Sequence, residues 1–205
     1  ENTLFIKGNQ NYKNGEYSVE GDFSNAAFFE ALNYANYANK TENKKIKIVG
    51  LKEDSLQGDK VYADLFAQIK KGFSSIDISD CPDLGPILFV VAAMFDGAEF
   101  TGTKRLKIKE SDRGQVMCEE LAKFDIKTKM EENKITIFKS KLNTPFEILS
   151  GHNDHRIVMS LTTLLTITGG KIKGIEAVRC ININKICIKL IFKNFNNLFA
   201  FAFAH

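Results

Sequence analysis

Five consecutive residues, KESDR at 109–113, combine side chains that can bind an anion with side chains that can move a proton. They precede an amphipathic segment, and the start of a helix attracts anions through its free N–H groups and its dipole. Lys109 and Arg113 could hold a phosphate or a carboxylate there, and arginine can grip it through two parallel hydrogen bonds. Glu110 could act as an acid or a base. The alternative is an ordinary capped helix with surface ion pairs, which this motif alone slightly favours.

A second polar group, GHNDHR at 151–156, precedes a segment that is apolar on nearly every side. A buried helix rarely begins with so many polar side chains unless they contact a ligand or one another. Arg156 in particular needs a partner if it is buried, because an unpaired buried charge is costly. A ligand site and an internally bonded helix start explain this pattern equally well.

Asp83 lies between Pro82 and Pro86, just ahead of another apolar helix. The prolines restrict the path of the chain, so the carboxylate would point in one fixed direction. Taken alone, Asp83 is better explained as an ordinary first-turn acid. If the repeated units described next are related by pseudo-symmetry, however, Asp83, Arg156 and the 109–113 cluster lie at one end of the domain. Such a face of helix starts, cations and acids would suit a polyanionic substrate.

The elements that position these residues follow one plan three times, with a period of about seventy residues. Each unit reads as helix, strand and helix, and the second adds a strand pair whose turn lies near Glu132 and Asn133. The units begin at Asp22, Asp83 and Asp154, as N-cap or first-turn acids. Apolar spacing predicts one buried face in each of three helices. The faces are Ala27, Phe28, Ala31 and Leu32; Leu88, Val91, Ala92 and Phe95; and, after Asp112, Met117, Leu121 and Phe124.

Two further segments are predicted to be strands. The β-rich KKIKIVGL (44–51) follows the first helix, and residues 3–22 read as strand material that ends at VEGD. The second segment fits poorly as the start of a domain, and we interpret it as the end of a preceding one. The predicted fold class is mixed α/β with short parallel or mixed sheets, and the sequence has no Gly-rich dinucleotide fingerprint.

The composition excludes several functional classes. The 205 residues, 44% of them hydrophobic, can bury one sizeable core or two small ones. The net charge of +3, with both signs interspersed, argues against a nucleic-acid or acidic-membrane partner, and the apolar run IVMSLTTLLTI is too short to span a bilayer. Four cysteines without a disulfide spacing indicate a reduced, cytoplasmic protein. Four residues in the last third of the chain are candidate zinc ligands: His152, His155, Cys180 and Cys187. Their spacing differs from that of known zinc sites, so incidental thiols are favoured over a metal site.

Five motifs, in this order, resemble the EPSP synthase (3-phosphoshikimate 1-carboxyvinyltransferase) family: VEGDFSNAAFF, DSLQGD, DISDCPDLGP, RLKIKESDR and HNDHRIVMS. The resemblance runs from about Tyr17 to Val178, and KESDR together with NDHR is highly specific. The sister transferases that act on UDP-N-acetylglucosamine share the fold but not this set of motifs. The resemblance implies an enolpyruvyl-transferase fold of two similar domains, each built from three βαβαββ-like units, that close on the substrates.

By this resemblance, VEGD marks the return of the chain from the second domain into the first. Residues 1–18 would then be crossover strands from a missing N-terminal domain, and residues 19–205 would form one enolpyruvyl-transferase domain. The complete protein is expected to be a monomer.

The family reaction joins the 5-hydroxyl of shikimate 3-phosphate to the central carbon of phosphoenolpyruvate and releases phosphate, with no metal or organic cofactor. It belongs to the shikimate pathway of aromatic amino-acid biosynthesis, in the cytoplasm. The resemblance implies that Asp83 contacts shikimate 3-phosphate and accepts its hydroxyl proton, while Glu110 moves a proton at the methylene carbon. It also implies these substrate contacts: Arg113 and Arg156 to phosphoenolpyruvate, Lys109 on the shikimate side, and His155 as a neighbour of the pocket.

Two departures from the family pattern bear on activity. The Ser-Ser-Gln type motif and the N-terminal lysine of the family belong to the missing half. After EAV, where the family continues Lys-Ser, aromatic, Pro, Cys180 takes the lysine position and Arg179 stands one residue early. The tail, residues 179–205, contains no Asp or Glu and is rich in Ile, Asn, Lys and Phe, which favours out-of-frame translation of AT-rich DNA over a divergent final helix.

Three hypotheses follow. In the first, the chain is a domain of an EPSP synthase that is active only when completed by its N-terminal half. In the second, it is a non-catalytic fragment or the product of a decayed gene. The third and least favoured is a UDP-N-acetylglucosamine enolpyruvyl transferase.

Overall fold

The computed structural model describes residues 3–11, 14–16, 18–40 and 45–180. In these ranges the helices are α1 (Phe23–Ala38), α2 (Tyr62–Lys71), α3 (Gly85–Met94), α4 (Arg113–Ala122) and α5 (His155–Thr168). The strands are β1 (Ser74–Asp77), β2 (Gly97–Thr101), β3 (Thr128–Glu131), β4 (Lys134–Phe138), β5 (Leu149–Ser150) and β6 (Ile172–Lys173). Short 3-10 turns cover Gly58–Val61, Pro82–Leu84, Thr103–Ile108 and Ile175–Cys180. The fold is therefore mixed α/β, as predicted.

The larger sheet has the strand order β1-β2-β4-β3. Strand β2 runs parallel to β1 and antiparallel to β4, and β3 pairs antiparallel with β4. Glu131 pairs with Lys134, so the hairpin turn consists of Glu132 and Asn133 and the predicted turn is confirmed. With α3 and α4 between its strands, this part of the chain reads β1-α3-β2-α4-β3-β4, which is one complete βαβαββ unit.

The smaller sheet belongs to the third unit, in which the parallel strands β5 and β6 flank α5. Helix α5 holds the run IVMSLTTLLTI, but its 14 residues extend only about 21 Å, well short of a bilayer core of about 30 Å. Wherever the structure describes the chain, none of its helices has the length and apolarity needed to cross a membrane.

Helix α3 is the centre of the core. All of its residues, from Gly85 to Met94, are buried, because it packs against every other described helix and against β2 and β4. The prediction of a single buried face for α3 was therefore too narrow. The other two predicted faces are confirmed, except that Leu32 is only half-buried.

The strand predicted over 44–51 is wrong for the described residues from Lys45 onward. The side chain of Asn33 takes the place of a strand partner there. Its Oδ1 accepts a hydrogen bond from the Ile46 amide at 2.8 Å, and its Nδ2 donates to the Ile46 carbonyl at 3.0 Å. A side-chain amide has thus satisfied backbone groups that a β-ladder would otherwise have used.

The strands predicted near the start of the chain are also absent from the described residues. Residues 3–11 and 14–16 lie outside both sheets, and Leu4, Phe5 and Ile6 are exposed. A strand needs a neighbour that accepts its ladder hydrogen bonds, and no described segment lies beside this one in a sheet. The assignment of residues 1–18 to a domain crossover stays a prediction.

Candidate active site

Arg113, the first residue of α4, lies at the centre of a charged cluster. Its side chain is only 1% exposed. Nε donates to Asp154 Oδ2 at 2.8 Å, Nη1 to Asp83 Oδ1 at 2.9 Å and Nη2 to Glu110 Oε2 at 2.5 Å. One guanidinium therefore joins the start of α4, the turn before α3 and the start of α5, which are distant in sequence.

Asp83 is aimed at this cluster by the 3-10 turn Pro82–Leu84, whose first turn it occupies as the expected acid. Besides Arg113, its Oδ1 contacts Lys109 Nζ at 2.8 Å, while Oδ2 lies 3.7 Å from Arg156 Nη2. Burial alone would raise the pKa of Asp83, but the hydrogen bond from Lys109 and the charges of Arg156, Lys109 and Arg113 outweigh it and lower that pKa. Asp83 is therefore a carboxylate at neutral pH.

Asp154 is the acid that the sequence identified only as a helix start. Its carboxylate caps α5 by accepting from the Arg156 amide at 2.9 Å, and also accepts from Arg113 and from Ser111 Oγ at 3.0 Å. The side chain is 0% exposed. Burial favours a raised pKa, but the hydrogen bonds and charge of Arg113, with those from Arg156 and Ser111, hold the Asp154 pKa below its ordinary value.

His155 and Arg156 follow this cap and face the same cluster. His155 Nδ1 lies 3.8 Å from Glu110 Oε1, too far for a hydrogen bond in the present geometry. Burial and the positive charge of Arg156 lower the pKa of His155, so its imidazole is neutral at pH 7. Arg156 is 12% exposed and makes only long contacts with Asp83, at 3.7 Å to its carboxylate and 3.5 Å to its carbonyl. Arg156 is thus held less firmly than Arg113.

Asp59 is a further buried acid near the cluster, carried by the DSLQGD motif in the turn Gly58–Val61. Its Oδ2 accepts a hydrogen bond from Ser24 Oγ at the start of α1. Burial raises the pKa of Asp59, despite the opposing effects of the Ser24 hydrogen bond and of the Arg156 charge. DSLQGD is rich in polar residues, so its composition alone does not indicate that Asp59 is buried.

The structure brings all six of the predicted site residues into one cluster. They are Asp83, Lys109, Glu110, Arg113, His155 and Arg156. The acids are the more accessible members, since the Glu110 side chain is 48% exposed and that of Asp83 is 33% exposed. Accessible carboxylates beside three cations can bind an anionic ligand and exchange protons with it. The individual roles expected for these residues stay predictions.

The zinc alternative gains no support within the described ranges, where no group of three His, Cys, Asp or Glu side chains is placed to hold a metal ion. His152 instead contacts Glu120, with Nε2 2.8 Å from Oε1. Cys187 and residues 181–205 of the atypical tail lie outside the described residues, as do the side chains of Arg179 and Cys180.

We expect Asp154→Asn to cost about 1.5–3 kcal/mol at pH 7, the usual range for hydrogen bonds to a charged group. Asparagine can still cap α5, but it leaves Arg113 without its fully buried counter-charge. Because folding lowers the pKa of Asp154, its contribution is present above the ordinary aspartate pKa of about 3.9 and is lost as the pH falls through the lowered value. Urea unfolding followed by circular dichroism between pH 3 and 7 should therefore show the variant and the wild type converging in acid.

The control is Asp96→Asn, which breaks the exposed contact of Asp96 with Lys139 and should change stability by less than about 1 kcal/mol. A difference between Asp154→Asn and the wild type that stays constant from pH 7 to pH 3 would contradict the proposed charge pairing.

Comparisons with known proteins agree with the motifs. The family model described as EPSP synthase (3-phosphoshikimate 1-carboxyvinyltransferase) matches residues 1–185. The 3-phosphoshikimate 1-carboxyvinyltransferase of Clostridium acetobutylicum is 40% identical over 194 residues, covering 87% of this chain and 40% of the relative. The 3-phosphoshikimate 1-carboxyvinyltransferase of Clostridioides difficile is 37% identical over 176 residues, covering 77% of this chain and 38% of that relative. The solved EPSP synthase of Acinetobacter baumannii matches with a TM-score of 0.50 at 25% identity, over 78% of this chain and 43% of that one. The chain thus spans about two fifths of the length of these curated relatives.

Proposed function

The chain belongs to the EPSP synthase family, and we propose that it forms one domain of an enzyme that transfers the enolpyruvyl group of phosphoenolpyruvate to the 5-hydroxyl of shikimate 3-phosphate. The complete enzyme would release phosphate and serve aromatic amino-acid biosynthesis in the cytoplasm, as a monomer and without a metal or organic cofactor. Residues 19–205 would be the transferase domain, and residues 1–18 the crossover from an N-terminal domain.

The observation that supports this proposal is the cluster built around Arg113. Both substrates are anions, and three cations converge on it: Lys109, Arg113 and Arg156. The transfer also needs one group that accepts a proton and one that delivers a proton, and Asp83 and Glu110 are the accessible acids.

The chemistry assigns the two acids different tasks. Asp83, ionised at neutral pH, takes the proton of the 5-hydroxyl as its oxygen bonds to the central carbon of phosphoenolpyruvate. Glu110 delivers a proton to the methylene carbon, which becomes a methyl group. Glu110 then takes a proton back from that methyl group while the bond from the central carbon to the phosphate oxygen breaks and phosphate leaves. The enolpyruvyl group is restored on its new oxygen, and the departing phosphate takes the proton that Asp83 holds, so both acids return to their starting forms.

The two arginines differ in how available they are to a ligand. Arg113 already donates to three carboxylates, so in the ligand-free domain it holds Asp83 and Glu110 in place. Among the described residues, the Arg156 side chain contacts Asp83 only at 3.5 Å or more, so it is the arginine that can turn toward phosphoenolpyruvate with less loss. Lys109, beside Asp83, would contact the shikimate side.

The chain on its own is expected to release no phosphate from the two substrates, because about three fifths of the length of the related enzymes is absent from it. A chimaera in which the chain replaces the matching part of the C. acetobutylicum relative should release phosphate only when both substrates are present. A phosphate-release assay on both proteins, with circular dichroism as the folding control, checks this.

The outcomes separate the three hypotheses. Turnover by the chain alone would contradict a site shared between two domains. A folded but inactive chimaera would favour the non-catalytic fragment, the hypothesis that agrees with a cysteine, Cys180, at the position of the family's lysine. Acceptance of UDP-N-acetylglucosamine in place of shikimate 3-phosphate would favour the sister enzyme.

A further inference from the structure

Glu120 is a buried carboxylate outside the cluster, on the same face of α4 as Arg113 and two turns further along. Its side chain is 1% exposed. Oε1 contacts Lys123 Nζ and His152 Nε2, both at 2.8 Å, and Oε2 accepts from the Ser150 amide at 3.0 Å. A carboxylate only accepts hydrogen bonds, so Nε2 of His152 carries a proton. Burial alone would raise the pKa of Glu120, but the hydrogen bonds from Lys123, His152 and Ser150 lower it, so Glu120 is ionised at neutral pH.

The two loop contacts of Glu120, Ser150 and His152, lie at the start of a tight turn that leads into α5. His152 and Asn153 adopt positive φ angles of 48° and 54°, which residues other than glycine rarely do. Before them, Gly151 has no room for a side chain, because a Cβ would lie 2.5 Å from Val158 Cγ2 and 2.6 Å from the Gly174 carbonyl. Such a backbone persists only where its surroundings hold it, and Glu120 is one of the groups that do so.

We propose that Glu120 is a positioning residue for the candidate site, because it fixes the loop that delivers Asp154, His155 and Arg156. Helix α4 then holds this loop at two points. Arg113 binds the Asp154 carboxylate, and Glu120 binds Ser150 and His152 about 10 Å further along the helix axis. The consequence for substrate binding rests on the proposed function, whereas the consequence for the loop does not.

The loop can be tested in the chain itself. In Glu120→Ala, amide hydrogen exchange should accelerate at least about tenfold for residues 150–154. The loop can then open without breaking the buried hydrogen bonds of Glu120 to Ser150 and His152, so opening costs less free energy. Exchange in α3, which is buried throughout, should accelerate only as far as the global stability falls, so a larger acceleration at residues 150–154 reports the loop. The control is Ile137→Val, which trims a buried side chain on β4, in the larger sheet rather than in the β5-β6 sheet beside the loop.

The substrate consequence can be tested in the chimaera. Glu120→Ala should raise the KM for phosphoenolpyruvate about tenfold or more while kcat changes less than about threefold, because a displaced Arg156 weakens ground-state binding. Glu120→Gln should recover part of the loss, because its amide oxygen can still accept from Ser150. Ile137→Val should leave KM unchanged even where its melting temperature falls by as much as that of Glu120→Ala.

Each arm has an outcome that overturns the inference. Exchange in residues 150–154 that is unchanged in Glu120→Ala contradicts the role of Glu120 in the loop. A KM shift matched by Ile137→Val shows a general effect of stability and contradicts a positioning role. If the wild-type chimaera is inactive but exchange accelerates as expected, the proposed function fails and the positioning of the loop by Glu120 stands.

Discussion

Arg113→Met is expected to lower the stability of the chain by about 3–5 kcal/mol, the range found when one partner of a buried ion pair is removed. Methionine fills much of the same volume but carries no charge. Asp154 would keep a negative charge at 0% exposure with only Ser111 and the backbone of α5 to bind it. Asp83 and Glu110 would lose a shared donor, although their exposure makes this a smaller cost.

Denaturant unfolding followed by circular dichroism measures this loss, with Arg105→Met as the matched control. Arg105 is exposed and donates to the Ser79 carbonyl at 2.8 Å, so its replacement should cost less than about 1 kcal/mol. The double variant Arg113→Met with Asp154→Asn should recover part of the loss, because it no longer buries an unpaired charge. If Arg113→Met costs no more than Arg105→Met, Arg113 is not the structural centre of the cluster.

The loss should also depend on pH in a defined direction. In Arg113→Met, burial acts on Asp154 without the arginine that lowers its pKa, so the pKa of Asp154 rises. The folded variant then binds a proton at a higher pH than the wild type does. Its disadvantage relative to the wild type is therefore largest at neutral pH and shrinks in acid, whereas a loss of packing alone would be nearly constant with pH.

The parts of the fold that the sequence predicted are those set by local spacing. The hairpin at Glu132 and Asn133 follows from two alternating segments around a two-residue turn. Helix α4 follows from the spacing of Met117 and Leu121, both buried. What local spacing could not predict is which partner a segment meets in three dimensions. The segment after residue 44 has a strand-like composition, but the Asn33 side chain takes up its backbone groups.

The same limit applies to the candidate site. Motif resemblance identified the residues that face the cluster, because their types are unusual at those positions. Asp154 was identified only as a helix cap, since a capping aspartate has the same sequence signature whether or not its carboxylate also binds an arginine. Glu120 lies in CEEL, which reads as a solvated helix face, and only the approach of the loop at Ser150 shows that it is buried.

Glu110→Gln, in the chimaera, is expected to lower kcat by about 10²- to 10⁴-fold, the usual contribution of a positioned acid or base. Glutamine has nearly the same shape, and its oxygen can still accept from Arg113 Nη2, but it cannot exchange a proton with the methylene carbon. Because the Glu110 side chain is 48% exposed, folding should be almost unaffected. The KM for phosphoenolpyruvate should stay nearly level, because the substitution leaves the three cations of the cluster in place.

Steady-state kinetics with each substrate varied in turn measures kcat and KM separately. Glu119→Gln is the control. Glu119 is exposed on α4 and contacts Gln115, so its replacement should leave kcat and KM unchanged. A fall in kcat without a rise in KM identifies an interaction made in the transition state rather than in the bound ground state. A Glu110→Gln chimaera that turns over at the wild-type rate would remove Glu110 from the chemistry. Asp83 would then be the remaining accessible carboxylate among the described site residues, and a single acid would have to serve both proton transfers.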